Sequence, residues 1–381
     1  MNKLEKRIPL ATPTMHGDEQ KFVNEAFETN WIAPVGPHVD AFEKEICDFL
    51  DIKGASAVAS GTAALHLCYK LADIKSGDIV LVQDLTFSAT INPIIYQNAI
   101  PVFIDSEYET WNMDPKALEI ALEKYKDRVK AVVPVHLYGT PSKIDEIIAL
   151  CKKYNVKLIE DACESMTSTY KGKETGTFGD YNAISFNGNK LITTSSGGVL
   201  VSNNVEACHK AKFWATQAKE NVHWYEHKEI GYNYRMSNVC AGIGRGQLLH
   251  IREHTEGKTK IFRKYKNGFK NLDLIMNPYE SVAIPNFWLS CILLDKNIIN
   301  DKINPEALRA YLDDLNIESR RIWKPMHMQP IFEKYDYIKI GDSSVSKDIF
   351  ERGLCLPSDL KMTENEQEIV IEAVKNFLGM R

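Results

Sequence analysis

From about residue 55 onward, short apolar runs recur along the chain, each ending in small or polar residues and most followed by a stretch with helical hydrophobic spacing. The runs 55–60, 79–84, 101–105, 130–136, 157–162, 181–186 and 198–202 predict strands. Between them, 62–75, 115–126 and 142–154 predict amphipathic helices. This alternation implies an α/β architecture, with a mostly parallel seven-stranded sheet covered by helices on both faces. The last two runs leave no room for a helix between them, so one antiparallel pair is expected there. Beyond residue 238 the pattern changes. Residues 238–269 predict one or two long helices, 287–294 a strand, and 305–315 and 363–378 further helices. A large unit over 1–250 and a small C-terminal α+β unit over 251–381 are therefore expected.

Composition narrows the class. The 381 residues are 44% hydrophobic, enough for a large core. There are 46 basic and 51 acidic residues, a net charge of -5, and both signs are mixed along the whole length, which argues against a nucleic-acid surface. The opening MNKLEKRIPL lacks the apolar centre of a signal peptide, and no stretch approaches the ~20 apolar residues of a membrane span. Eight cysteines without a CxxC pair suggest neither a zinc site nor a disulfide scaffold, so no metal and a cytoplasmic location are expected. The glycines of AGIGRGQ (241–247) do not form GxGxxG and follow no strand, so close helix packing explains them. His223 and His227 stand four apart with no third ligand nearby, which suggests a solvated or interface helix.

In an open parallel sheet, ligands gather beyond the carboxyl ends of the strands. After the first run, Ser60-Gly61-Thr62-Ala63 leads into a helix, a setting that suits a phosphate and equally suits an ordinary cap. After the second, Phe87 stands among small hydroxyl residues, fit to stack on a planar ring or to enter the core. The fifth run ends at Asp161, with Glu164 close behind. A carboxylate there needs a cation, such as a protonated pyridine nitrogen, unless it caps a turn. The sixth brings Ser185 and then Lys190, the one charged residue between Asp180 and Glu206. A lysine kept apart from other charges suits a Schiff-base amine, although a lone lysine is ordinarily a solvated surface charge. Phosphate cup, stacking aromatic, carboxylate and lysine are together what pyridoxal 5'-phosphate requires of a protein.

On SGTAALHL (60–67), TWNMDP (110–115), VHLYG (135–139), IEDACES (159–165), GTFGDYNAISFNGNK (176–190), EIGYNYRMSN (229–238) and IWKPMHMQPIF (322–332), the chain resembles the DegT/DnrJ-type sugar-nucleotide aminotransferases. These are fold-type I pyridoxal phosphate enzymes with an aspartate-aminotransferase-like fold. The resemblance implies that Lys190 carries the cofactor, Asp161 pairs with its pyridine nitrogen and Glu164 lies near its phenolic oxygen. Phe87 would stack on the ring, and Thr62, Ala63 and Ser185 would hold the phosphate. Asn233 would reach the phosphate of a neighbouring subunit, so a homodimer with shared sites is implied. Trp31, Ile32, Ala33 and Pro34, with Lys324, Pro325, Met326 and His327, match segments that line the sugar-nucleotide site.

The implied reaction moves an amino group from L-glutamate, through pyridoxamine phosphate, to the C4 ketone of a UDP-linked 4-keto-6-deoxy-N-acetylhexosamine, as on the bacillosamine route. Perosamine-type and dTDP-linked keto sugars are alternatives. Relatives that dehydrate sugars carry histidine where this chain has Lys190, and a non-catalytic sugar-nucleotide binder would not need the intact Lys190 and Asp161. ESRRIWKPMH (318–327) has two arginines where the usual form has one followed by proline, which leaves the sugar open.

Overall fold

The computed structural model describes residues 3–379. The seven predicted runs form β1 (Gly54–Val58), β2 (Ile79–Gln83), β3 (Ile100–Ile104), β4 (Val129–Val133), β5 (Lys157–Asp161), β6 (Tyr181–Ser185) and β7 (Gly198–Ser202). All five residues of β2 are buried, as befits a parallel strand covered on both faces. The strands lie in the order β1–β7–β6–β5–β4–β2–β3. From β6 to β3 every neighbouring pair is parallel. One antiparallel pair was expected and there are two, because β7 turns straight back from β6 and then also pairs with β1 on its outer side. The sheet has eight strands rather than seven. Tyr337–Ile338 adds in parallel beside β3, too short a piece to leave a pattern in the sequence.

This topology positions the site. With the inverted β7 between them, β1 and β6 run the same way, so the carboxyl ends of β1, β5 and β6 open at one edge. The amino end of β7 falls between them, where Gly198 pairs with both Val58 and Ser185. Ser60 then caps the helix Gly61–Leu71, its hydroxyl accepting the Ala63 N–H at 3.1 Å.

The predicted 238–269 segment is two helices, Asn238–Leu248 and Ile251–Gly268. On the first, a methyl group on Gly246 would stand 2.5 Å from the Glu19 backbone nitrogen, so that glycine allows close contact with the helix Asp18–Glu28. His223 and His227 are not on a helix: residues 219–230 form an exposed irregular loop that a Lys219–His227 bridge closes. The C-terminal region builds an antiparallel sheet from Leu274–Met276, Ser290–Leu294, Gly353–Leu356 and Arg320–Arg321. Phe262, Leu308, Leu354 and Val370 fill its core, each such burial contributing roughly 1.5–3 kcal/mol. Ile8 from the N-terminal segment joins that core. Among the described residues no helix is long and apolar enough to cross a membrane.

Candidate active site

At the shared strand edge lies a cavity of about 280 Å³. Thr62, Phe87, Asp161, Glu164, Ser185 and Lys190 all line it, although they come from four separate stretches of chain. One wall is the amino end of the helix Gly61–Leu71. Backbone and side chains are so close there that a methyl group on Gly198 would sit 2.6 Å from the Gly61 nitrogen, and one on Gly61 would sit 2.8 Å from the Ser185 Cβ. The run 193–198 thus seals the floor of the cup: the Ser196 hydroxyl donates to the Ala59 carbonyl at 2.8 Å, and Gly198 passes beneath Gly61. Helix N–H groups and hydroxyls around a gap with no room for further carbon make an anion cup. Ala63 stands behind it rather than on its surface, with its N–H given to Ser60.

Asp161 is 5% exposed. One of its oxygens accepts the Thr90 hydroxyl at 2.7 Å, and the other accepts the Cys163 N–H at 3.1 Å. Thr90 is itself held by Thr86, hydroxyl to hydroxyl at 2.7 Å. Among the described residues no cation pairs with this carboxylate, so a buried negative charge faces the cavity with only neutral donors around it. A ring N–H⁺ fits that position. Glu164 accepts the Tyr138 N–H at 2.6 Å. Burial pushes its carboxyl up to about 7, Asp161 adding to the rise and the Lys190 charge and the Tyr138 N–H opposing it. Burial also pushes the Cys163 thiol up, with Asp161 reinforcing, so that sulfur stays protonated and unreactive.

The Lys190 ammonium lies 4.0 Å from the ring centre of Trp288. Phe87 is 56% exposed on the cavity wall and tilts against Trp323, ring centres 5.4 Å apart. A large aromatic left this open beside a polar cup is a surface awaiting a planar partner. The cup, the lone carboxylate, the open ring and the lysine together fit pyridoxal phosphate.

Residues 13–375 match the DegT/DnrJ/EryC1/StrS aminotransferase family. The chain belongs to that family. EpsN of Bacillus subtilis (strain 168), named a pyridoxal phosphate-dependent aminotransferase, is 48% identical over 376 residues, 97% of this chain and 96% of that protein. A GDP-perosamine synthase of Escherichia coli O157:H7 is 35% identical over 373 residues, 98% of this chain and 99% of that protein. The crystal structure of a DegT DnrJ EryC1 StrS aminotransferase from Brucella abortus superposes with a TM-score of 0.88 at 25% identity, covering 95% of this chain and 96% of that one. DegT-family aminotransferases use pyridoxal 5'-phosphate and have the fold-type I architecture, which this chain shares.

The remaining sequence-derived residues lie outside this cavity. Trp31, Ile32, Ala33 and Pro34 are exposed, their backbone tied to Asn238. Asn233 is exposed too, in a bridge to Thr216, and lines nothing in its own chain's cavity. In the 324–327 stretch Pro325 is buried, and Met326 enters the core beside Phe332. His327 donates its N–H to Asp84 at 2.8 Å, and its Nδ1 lies 2.7 Å from that carboxylate's other oxygen. Lys324 is half-buried, its carbonyl accepting the Gln329 amide. Here Trp323 faces the cavity instead. Sequence reasoning missed Thr90, Tyr138, Trp288 and Asn286 as site residues. Two of them left a signal: Tyr138 within VHLYG (135–139), and Trp288 as an aromatic between Asn286 and Ser290 at a strand start.

Proposed function

We propose that the protein transfers an amino group from L-glutamate to the C4 ketone of a UDP-linked 4-keto-6-deoxy-N-acetylhexosamine. The observation that carries the aminotransferase reading is the convergence of Lys190, Asp161 and Glu164 on one cavity whose wall is the anion cup. Bound pyridoxal phosphate supplies an electron sink that labilises the donor's α-hydrogen. Lys190 would hold the cofactor, and its amine, when free, would accept the donor's α-proton and give it back. Asp161, locked by Thr90 and the Cys163 N–H, would pair with the ring nitrogen and favour its protonated form. Glu164, its carboxyl raised by burial, would lie near the phenolic oxygen. Thr62, Ser185 and the helix terminus would hold the phosphate, and Phe87 would stack on the ring. Asn233 completes the phosphate site of a second copy, and the exposed segment Trp31–Pro34 serves the sugar nucleotide.

The likeness of FNGNK (186–190), TWNMDP (110–115) and WKPMH (323–327) to UDP-sugar enzymes supports the UDP-linked substrate. A GDP-linked, perosamine-type keto sugar is the second reading, favoured by the end-to-end match to GDP-perosamine synthase. Incubation with glutamate and a panel of UDP-, GDP- and dTDP-linked 4-keto sugars, with the products identified by NMR, separates them. Amination of the UDP sugar at the highest kcat/KM is expected, preference for the GDP sugar selects the second reading, and no amination of any member overturns both.

A further inference from the structure

The turn Asn286-Phe287-Trp288 leads into the strand Ser290–Leu294 and supplies a wall of the cavity. Phe287 has φ of +51°, a left-handed conformation that a bulky residue adopts only when its surroundings enforce it. Asn286 does the enforcing. It is fully buried, its N–H reaches the Ser168 hydroxyl at 3.0 Å, and its side-chain amide donates to the carbonyls of Glu164 and Met166, both at 2.9 Å. Its own side-chain oxygen accepts the Trp288 N–H at 2.9 Å. The loop that carries Glu164 and the tryptophan are therefore fastened to one residue.

Trp288, 2% exposed, is held from behind by Tyr138, ring centres 6.2 Å apart. Its indole N–H donates to the Asn189 carbonyl at 2.7 Å, and its face lies 4.0 Å from the Lys190 ammonium. Among the described residues Lys190 has no ion pair and no side-chain hydrogen bond, and its ammonium rests on this ring. We propose that Trp288 is a positioning residue for Lys190: its face docks the free, protonated amine, and its N–H fixes the peptide from which the lysine swings. The proposal rests on the reading of Lys190 as the cofactor-bearing, proton-carrying residue. A lysine in that role must leave its dock at every turnover. A carboxylate would hold it too firmly, whereas an aromatic face offers a preference of about 3- to 30-fold.

The test uses the full chain in two states. In cofactor-free protein labelled with 13C at the lysine ε-carbon, the signal lost in Lys190→Arg identifies Lys190. That signal is expected upfield of the other lysines, from the ring current of Trp288, and at the bulk position in Trp288→Leu; Trp288→Phe keeps part of the shift. With cofactor bound, the glutamate half-reaction is expected to slow about 3- to 30-fold in Trp288→Leu, with a larger isotope effect from α-deuterated glutamate, and Trp288→Phe restores most of the rate. A bulk position for Lys190 in the parent protein overturns the docking whatever the variants do, so a Trp288→Leu that fails to fold leaves the test intact. An unchanged isotope effect in a folded Trp288→Leu overturns the positioning role. Borohydride reduction followed by peptide mapping keeps the two readings apart: cofactor found on a lysine other than Lys190 sinks the functional reading and leaves the ring-current result standing on its own.

Discussion

The strand-edge cup and the segments around Trp31 and Asn233 are both expected to serve one reaction, yet they are built in opposite ways. The cup is closed within one chain: Gly61, Gly198 and Ser185 are packed to contact, and Asp161 and Glu164 have their orienting donors in place. The other two segments hold Trp31, Ile32 and Val35, and Trp224, Tyr225 and Ile230 near Asn233, all largely exposed. Apolar side chains in such number at a surface mark a place where something else binds. The difference teaches that one chain packs the cup from its own residues while leaving these two apolar segments open to a further binding surface.

Lys190→Ala attacks the closed half most severely. Glutamate-to-sugar transfer, followed by product formation, is expected to fall by at least about 10³-fold, because no neighbouring group replaces the amine. Asp161→Asn should cost about 10²- to 10⁴-fold in the same assay. Thr90→Val, which keeps the shape and removes one hydrogen bond to the charge, should cost about 10-fold. If Thr90→Val matched Asp161→Asn, the hydroxyl would be a member of the chemistry and not a support. The open half is broken by complementation. Asn233→Ala and Lys190→Ala proteins, each weak alone, are expected to regain activity when unfolded together and refolded as a mixture. In a mixed dimer one site then has both its own Lys190 and the partner copy's Asn233 intact. No recovery would place Asn233 outside the active site.

Glu164 sharpens the comparison through pH. Its carboxyl is raised from 4.5 to about 7, mainly by burial, so the folded chain holds that proton more tightly than the unfolded chain does. The stabilisation is complete below about pH 4.5 and is lost as pH rises towards 7, roughly 3 kcal/mol in all for the cofactor-free protein. Glu174, also raised to about 7 by burial, titrates in the same window, so the measurement is the difference between parent and Glu164→Gln. Denaturant midpoints of the parent should fall more steeply from pH 5 to pH 7 than those of the variant. Equal slopes would mean that Glu164 is already ionised in the fold.

The same contrast explains what the sequence could disclose. Strands covered on both faces must be apolar throughout, so β1 to β7 stood out, and the residues ending β5 and β6 fell where ligand chemistry belongs. Thr90, 71 positions from Asp161, and Trp288, 98 from Lys190, make contacts that only the folded chain brings together. The 323–327 motif was legible as a unit but not residue by residue, because burial of Met326 and the His327–Asp84 contact turn most of it inward and leave Trp323 to the cavity. Tyr337–Ile338 was illegible for a plainer reason: two residues carry no period.

The smallest effect belongs to the exposed end of the open half. Trp31 is 45% exposed, and the contacts its segment makes to Asn238 run through the Trp31 and Ala33 carbonyls, which any residue supplies. Trp31→Ala should therefore leave stability within about 0.5 kcal/mol of the parent. If the ring helps to bind the sugar nucleotide, its loss removes contact made alike in the ground and transition states, so KM for the sugar should rise about 10-fold while kcat and cofactor affinity hold. The three measurements divide the outcomes. A stability loss above about 1 kcal/mol would mean that the ring packs within its own chain, contrary to its exposure. A loss of cofactor affinity would make the segment part of the cup, and the contrast between a closed half and an open half would fail at its most exposed point.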